Sequence, residues 1–297
     1  MIGEKEAEFY RENGYLLVKG VFSQEEVREM REAIDRIIQR AAEANLNRNA
    51  TWQGDYLPPE ELKKLVLRGF HDVHYHEACF LSALAHPNMV AVLTKLIGPN
   101  VQLHHSKMLV KPPEKGAAFP MHQDYPYFPH DKHTMLAASM HLDDADEENG
   151  CIRVIPGSHK QGPLPHVGRH YLDHKQYPIE MGTPCPAQAG DVLFFNYLTI
   201  HGSKPNRSNR YRRNVLFQYK APDDRPTQMV HIDWGSGLMV AGSQPHFSEA
   251  VWRFHLAEEK PAKALAKGAV ISDEIWPIGG PQSAACGPYS FHTAMPG

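Results

Sequence analysis

Histidine and aspartate stand two residues apart at three places in this chain of 297 residues: His122/Asp124, His141/Asp143 and His231/Asp233. With 19 histidines, about one such pair is expected by chance. On an extended segment both side chains of a pair leave from the same face and can bind one ion. A metal held by two histidines and one carboxylate, with its other positions open, is the arrangement of non-haem Fe(II) oxygenases. The chemistry therefore requires one of these pairs and a second histidine.

The surrounding sequence favours the first pair, since aromatic residues that could line a pocket follow it at Tyr125, Tyr127 and Phe128. The second pair runs into the acidic segment 143–150, which ends in Asn-Gly and predicts a solvated turn between strands. The third pair lies near the end of the chain, where no arginine follows Arg253 to bind a co-substrate. We therefore expect His122 and Asp124 to be ligands.

His201 is the best candidate for the second histidine, because it follows the apolar run 192–195 and would lie at the end of a buried strand. Arg212 comes eleven residues later, at the start of another predicted strand. Antiparallel neighbours would bring its guanidinium beside the metal, where it can bind a carboxylate through two hydrogen bonds. His159 with Arg169 is a rival at a spacing of ten, although no strand flanks that interval.

Three more histidines, His71, His74 and His76, lie within six residues. No acidic residue or thiol stands at a useful spacing from them, so we interpret this segment as a polar loop and leave it out of the site.

The composition is that of an ordinary globular protein, with 42% hydrophobic and 22% charged residues and a formal charge of −3. That charge gives no reason to expect a nucleic-acid or anionic-membrane partner. The first residues lack a signal-peptide pattern and no apolar run reaches the ~18 residues of a membrane span, so we expect a cytoplasmic protein. The widely spaced cysteines predict reduced thiols at Cys79, Cys151, Cys185 and Cys286.

Helix signals precede strand signals along the chain. Ser23 and Glu26 form a capping box at the start of an amphipathic helix, and further helices are predicted over 4–12, 62–66 and 87–97. A short strand is predicted over 15–18, and the later strands over 101–110, 136–142, 191–195 and 214–219. This order predicts a mainly β sandwich or barrel buttressed by N-terminal helices.

Several motifs together resemble the phytanoyl-CoA dioxygenase (PhyH) family of Fe(II)- and 2-oxoglutarate-dependent oxygenases. The motifs span roughly residues 8 to 219 and are found at 8–15, 111–113, 122–124, 149–151, 156–159, 189–192, 201–203 and 212.

This resemblance implies a double-stranded β-helix, or cupin-like jelly roll, in which His122, Asp124 and His201 bind iron. It implies that Arg212 pairs with the distal carboxylate of 2-oxoglutarate, and that Gln123 and Ser203 are further co-substrate contacts. Ser139 stands where the family often has an aromatic residue. We expect one domain over 1–297, with helical support in about 1–100, a jelly-roll core in about 101–222 and a C-terminal lid or extension in about 223–297.

The implied reaction is hydroxylation of an unactivated C–H bond, with O2 consumed and with succinate and CO2 as co-products. Because Asp124 is present, hydroxylation is favoured over halogenation. Candidate residues near the substrate are Tyr125, Tyr127, Phe128, Lys107 and Arg153, and the segment 229–242 is a candidate lid.

A small metabolite or natural-product intermediate is favoured as the substrate over an acyl-CoA, because the only dense basic cluster is Arg207, Arg210, Arg212 and Arg213. A hydrolytic or isomerising metalloenzyme and a binding protein on the same fold remain as alternatives, and the oligomeric state stays open.

Overall fold

A computed structural model describes residues 2–44, 68–167, 171–228 and 237–244. These residues belong to one compact unit, Met1–Pro245. The predicted helix at 62–66 and most of the predicted C-terminal extension lie outside the described residues. The prediction of one domain over 1–297 therefore stays a prediction.

The N-terminal helices form as the sequence indicates. They are α1 (Glu4–Asn13), α2 (Gln24–Glu43), α3 (Val73–His76), α4 (Ala78–Leu84) and α5 (Pro87–Leu96). At the start of α2 the Ser23 hydroxyl accepts a hydrogen bond from the Glu26 N–H, and the Glu26 carboxylate accepts one from the Ser23 N–H. Its apolar side chains repeat at helical spacing and are buried: Val27, Met30, Ala33, Ile34, Ile37 and Ala41.

The strands are β1 (Tyr15–Val18), β2 (Arg68–His71), β3 (Val101–Lys111), β4 (Phe119–His122), β5 (Leu136–His141), β6 (Ile152–Val154), β7 (Thr183–Pro184), β8 (Val192–Asn196), β9 (His201–Ser203), β10 (Arg212–Lys220) and β11 (Met239–Ala241). The large sheet has the order β1-β8-β5-β10-β3-β11, with β2 also pairing with β3, and the small sheet has the order β4-β9-β6-β7. The pairings are antiparallel, and the predicted jelly roll with helical support is confirmed.

Each strand of the large sheet has one face toward the helices and one toward the small sheet. On the helix side, alternating residues of β5, β8 and β10 pack with α2, α4 and α5 in the main core. On the inner side, a smaller apolar cluster links the two sheets through Ala137, Ile152, Val154, Leu193, Phe195 and Leu216. We call the space between the sheets the central chamber.

The end of α1 and the start of β1 contact the segment that precedes His201. Gly14 ends α1 in the left-handed region at φ 77°, where a Cβ atom would lie 2.4 Å from His159 Nδ1. Its carbonyl accepts hydrogen bonds from the Asn196 N–H (2.9 Å) and from the Thr199 hydroxyl (2.7 Å). The N-terminus therefore supports the loop that leads into His201.

One local prediction needs correction, and the candidate lid stays a prediction. The segment around His74 and His76 is a short helix, α3, and not a loop. The candidate lid is described only from Gly237 onward, and there Met239–Ala241 forms an edge strand against β3. Within the described residues, no single helix has the length and apolarity of a membrane span, and only the bent pair α4 and α5, taken together, meets those two criteria.

Candidate metal centre and anion pocket

His122 and His201 face each other across the small sheet. His122 ends β4, His201 begins β9, and the two residues are paired in register. Their ring centroids are 4.2 Å apart, and both side chains are buried. The predicted second histidine is thus brought to the first by an antiparallel strand pair.

Asp124 completes the cluster, but not in the way the spacing predicts. Its backbone has φ −74° and ψ −20°, so it lies in a helical turn that begins the 3-10 helix Tyr125–Tyr127 and not on a strand. Its Oδ1 atom lies 3.8 Å from His122 Nε2 and 4.0 Å from His201 Nε2. The three ligand atoms lie within 4.8 Å of one another, a separation that one metal ion can bridge. We call His122, Asp124 and His201 the metal end of the chamber.

Neighbouring groups orient each of these ligands. The His122 Nδ1 atom lies 2.8 Å from the Pro120 carbonyl, and the His201 Nδ1 atom lies 2.9 Å from the Thr199 carbonyl. Each Nδ1 therefore carries the proton, and each Nε2 keeps a lone pair for a metal. Gln218 donates a 2.7 Å hydrogen bond to Asp124 Oδ2, which leaves Oδ1 directed at the two imidazoles.

Burial keeps both imidazoles neutral. It is the main cause that lowers the pKa of His122 well below its ordinary value, and the charges of His201 and Lys107 lower it further. Burial also lowers the pKa of His201, and the carboxylate of Asp124 opposes that effect in part. At neutral pH the ligand nitrogens are thus free of protons, as metal binding requires.

A second group of polar side chains lies at the other end of the chamber. Lys111 and Arg212 are paired in register on β3 and β10, and both are almost fully buried. The Lys111 ammonium donates 2.6 Å hydrogen bonds to the Ser203 hydroxyl and to the Lys204 carbonyl. We call Lys111, Ser203 and Arg212 the anion end.

The two cations of the anion end have no carboxylate between them. Burial lowers the pKa of Arg212 to about 10, and burial together with the charge of Arg212 lowers the pKa of Lys111 well below its usual value. Arg212 Nε is buried without a hydrogen-bond partner among the described residues. Two buried cations with spare donors form a site for an anion, because an anion would satisfy the donors and offset the mutual repulsion.

His141 and Asn214 extend this pocket. They are paired in register on β5 and β10, and both are buried. Neither ring nitrogen of His141, nor Oδ1 of Asn214, has a hydrogen-bond partner of good geometry in the described structure. Asn214 donates its side-chain N–H to the Ser139 hydroxyl at 2.8 Å, so a polar pair occupies the position where the family often has an aromatic side chain.

The pair His141/Asp143 is not a metal site. The Asp143 carboxylate accepts hydrogen bonds from the Arg213 Nε and N–H2 groups at 2.9 Å, on the other side of the sheet from Arg212. Arg212 and Arg213 therefore lie on opposite faces of β10, as strand alternation requires. His231 and Asp233 lie outside the described residues.

Two further expectations change with the contacts. The side chain of Gln123 is fully buried, donates to the Gly162 and Leu198 carbonyls and accepts from the Leu164 N–H. All of its polar side-chain atoms hold loops, so the side chain has a positioning role, and the predicted co-substrate contact stays a prediction. Arg153 is bound to Glu147 and to the Ile179 carbonyl, which also removes it from the candidate substrate residues.

His159, the alternative candidate for the second histidine, contacts the N-terminal helix α1. His159 Nε2 lies 3.1 Å from the Arg11 carbonyl, and the ring packs against Gly14. Arg169 lies outside the described residues. His159 therefore serves the contact between α1 and the loop before His201.

The sequence indicated His141 only as an alternative metal ligand, and it did not indicate Lys111 and Gln218 as site residues. Alternation along the predicted strands is the signal that could have identified them, because residues 107, 109 and 111 of β3 share a face, as do 212, 214, 216 and 218 of β10. A β-bulge where Gln218 pairs with His105 and Tyr219 with Leu103 shifts this alternation in β3, and no sequence pattern marks the bulge.

Comparisons with known proteins agree with this geometry. The sequence model of the phytanoyl-CoA dioxygenase (PhyH) family matches residues 10–214. A probable alpha-ketoglutarate-dependent hypophosphite dioxygenase of Stutzerimonas stutzeri is 31% identical over 84% of this chain and 90% of its own. The peroxisomal phytanoyl-CoA dioxygenase of Rattus norvegicus is 29% identical over 74% of this chain and 68% of its own.

A solved structure gives the same fold. The non-heme alpha ketoglutarate dependent carbocyclase SnoK from nogalamycin biosynthesis superposes with a TM-score of 0.64 at 23% identity. The superposition covers 82% of this chain and 95% of that chain.

Proposed function

Because this chain belongs to the phytanoyl-CoA dioxygenase family, we propose that it is an Fe(II)- and 2-oxoglutarate-dependent oxygenase that hydroxylates an unactivated C–H bond of a small molecule. The observation that carries the proposal is the presence of two complementary sites in one chamber, a three-ligand metal end and an anion end. A metalloenzyme that catalyses hydrolysis or isomerisation without 2-oxoglutarate does not require the second site.

The residues present fit Fe(II). His122 Nε2, Asp124 Oδ1 and His201 Nε2 are a two-histidine, one-carboxylate set that leaves other metal positions open. When bound, Fe(II) with 2-oxoglutarate and O2 would supply the oxidising chemistry, with succinate and CO2 as co-products. The protein's part is to hold the ligand atoms in place through Gln218 and the Nδ1 contacts, and to exclude water from the chamber.

The residues also fit 2-oxoglutarate. Its distal carboxylate would accept a bidentate contact from Arg212, whose Nε lacks a partner within the described structure, and a hydrogen bond from the Ser203 hydroxyl. Lys111 supplies a second positive charge and already orients Ser203. We add His141 to this pocket as a neutral N–H donor, because its buried imidazole has unused hydrogen-bonding capacity beside Arg212.

A small substrate is favoured over an acyl-CoA by the arginine contacts. A CoA thioester needs free cations for its phosphates. Arg210 is bound to Asp146 and Glu148, Arg213 is bound to Asp143, and Arg212 is enclosed in the chamber. Three members of the basic cluster are therefore already committed. The cytoplasmic location and the absence of nucleic-acid and membrane partners stay predictions from the sequence.

The test is succinate formation by Fe(II)-loaded protein with 2-oxoglutarate under air, since some turnover occurs without the prime substrate in enzymes of this type. We expect wild-type protein to form succinate and Asp124→Ala to form none above the rate of free Fe(II). Equal rates for wild type and Asp124→Ala would contradict the proposal and would favour a binding protein. Metal-dependent hydrolysis or isomerisation without O2 uptake would favour the other class.

A further inference from the structure

Lys107 lies on the inner face of β3, where the alternation with Met108 and Val110 directs it away from the helix-packed core. It is paired in register with Leu216, next to the Gln218 that holds Asp124. Lys111 is four positions further along the strand, which corresponds to about 13 Å. Lys107 therefore belongs to the metal end of the chamber and Lys111 to the anion end.

Lys107 is half-buried, and within the described residues its ammonium makes no ion pair and no hydrogen bond. Apart from Arg212 of the anion end, the other buried lysine and arginine side chains of the described structure make hydrogen bonds or ion pairs. Lys220 donates to the Asp224 carbonyl, and Arg153 is bound to Glu147. A partly desolvated ammonium without a counter-ion is costly unless a ligand supplies one.

The balance of charged side chains in the chamber also favours an anionic ligand near Lys107. Asp124 is the carboxylate that faces it among the described residues, whereas three cations do: Lys107, Lys111 and Arg212. The buried acids Asp191 and Asp224 instead accept hydrogen bonds from backbone N–H groups outside the chamber. A divalent metal adds two positive charges and 2-oxoglutarate removes two, so a net positive charge remains when both are bound. A negatively charged substrate would neutralise it.

Aromatic rings lie next to Lys107 along β3. At the β-bulge the Nδ1 atoms of His104 and His105 are 2.7 Å apart. The ring of Phe128 lies against both imidazoles, with centroids at 5.1 Å. Because His105 is two residues from Lys107 on the same strand, this aromatic cluster borders the position of Lys107.

From these observations we propose that Lys107 binds the anionic group of the substrate, and that the substrate is a small carboxylate or oxyanion held over the metal end. This inference rests on the proposed oxygenase function. The same chemistry has a second source, the metal-proximal carboxylate of 2-oxoglutarate itself, and the experiment has to separate the two.

The experiment compares wild type with Lys107→Met, Lys107→Arg and, as the matched control, Lys115→Met, an exposed lysine beyond the end of the same strand. Calorimetry under nitrogen first measures 2-oxoglutarate binding to each Fe(II)-loaded protein. Hypophosphite, phosphite and straight-chain carboxylates of three to six carbons are then titrated at constant ionic strength, each carboxylate beside its neutral amide.

We expect wild type to bind at least one of these anions and not its neutral analogue. Lys107→Met should weaken that binding at least tenfold, Lys107→Arg should retain most of it, and Lys115→Met should match wild type. The affinity for 2-oxoglutarate should change by less than about twofold in all four proteins.

Three results would overturn the assignment: anion binding that survives in Lys107→Met, no anion binding by wild type, or a loss of 2-oxoglutarate affinity in Lys107→Met as large as the loss of anion affinity. The last result would assign Lys107 to the co-substrate. Failure of wild type to bind 2-oxoglutarate would instead defeat the oxygenase proposal itself.

Discussion

The two faces of strand β10 are equally buried and opposite in chemistry. Toward the helices, Val215, Phe217 and Tyr219 are fully buried, and the one polar atom among their side chains, the Tyr219 hydroxyl, donates to the Leu84 carbonyl at 2.7 Å. Toward the chamber, Arg212 and Gln218 are nearly as buried, yet Arg212 Nε and Gln218 Oε1 have no partner within the described structure. The helix face stabilises the fold, whereas the chamber face keeps hydrogen-bonding capacity for ligands at a cost of about 1–3 kcal/mol for each unsatisfied group.

Within the chamber, the largest effect is expected for Asp124→Ala, which removes a metal ligand. The affinity for Fe(II) should fall on the order of 100-fold or more, beyond the 10–100-fold that is typical when an outer partner is lost. Gln218→Leu removes such a partner and provides the graded comparison. Competition with a chromophoric chelator measures both affinities, and a smaller loss in Asp124→Ala than in Gln218→Leu would exclude Asp124 as a ligand.

Phe217→Ala tests the helix face of the same strand. Removing this fully buried ring should lower the free energy of unfolding by about 3–5 kcal/mol, because a cavity forms in the main core. Under conditions where the variant is folded, its affinity for 2-oxoglutarate should match that of wild type. Urea unfolding and calorimetry measure the two quantities, and a parallel loss in both would show that the faces are not independent.

Arg212→Ala tests the chamber face of β10, and its expected effect is smaller. Loss of a charge-assisted bidentate contact, about 1.5–3 kcal/mol, should raise the Michaelis constant for 2-oxoglutarate by roughly 10- to 150-fold. Arg212→Lys restores the charge without the planar fork and should recover part of the loss. Arg213→Ala, on the helix side of the same strand, is the control, and a larger co-substrate defect there would reverse the assignment.

The free energy of unfolding should depend on pH through the buried imidazole of His141. Burial lowers the pKa of His141 to about 3, so below pH 6.5 the unfolded chain binds a proton that the folded chain does not. The stabilisation is present above pH 6.5 and is lost as the pH falls, by about 1.4 kcal/mol per pH unit for this imidazole. Urea unfolding of wild type and His141→Leu at pH 7.5, 6 and 5 should show a shallower dependence for the variant.

His141→Leu has the smallest expected effects, and it separates ligand binding from stability most directly. His141→Leu removes two buried nitrogens without partners, so the ligand-free protein should become more stable by about 1 kcal/mol. The affinity for 2-oxoglutarate should fall several-fold, because a donor to its carboxylate is lost. Opposite signs in thermal unfolding and in calorimetry are the expected pattern, and a destabilised variant with normal affinity would assign His141 a structural role.

The contrast between the two faces of β10 also explains which features the sequence could predict. Periodicity and capping predict helices such as α2, with its Ser23/Glu26 box. The choice of His122 and His201 as candidate ligands followed from the His-x-Asp pair and from the apolar run that precedes His201. Ligand geometry depends on details that periodicity does not encode. Asp124 reaches the metal end through a helical turn, and the inner face of β3 is set by a bulge that only the paired strands reveal.

The role of the Gln123 side chain in holding loops was not predicted, for a related reason. Its position in the motif indicated a role in the site, but the direction of its side chain is decided by loops from residues 162, 164 and 198. Contacts between segments so distant in sequence arise from tertiary packing and leave no local pattern.

The support that Gly14 gives to the loop before His201 has a consequence for how the protein is made. Residues 14–18 leave the ribosome before their partners at 192–199, which follow about 180 residues later. At synthesis rates of ~5–20 residues per second, this interval lasts roughly 10 to 40 seconds. During it β1 remains an open strand and the His201 loop does not yet exist. Such non-local pairing is slow to form, so the metal end is assembled only when nearly the whole jelly roll has been synthesised, and iron enters a chain that is already close to folded.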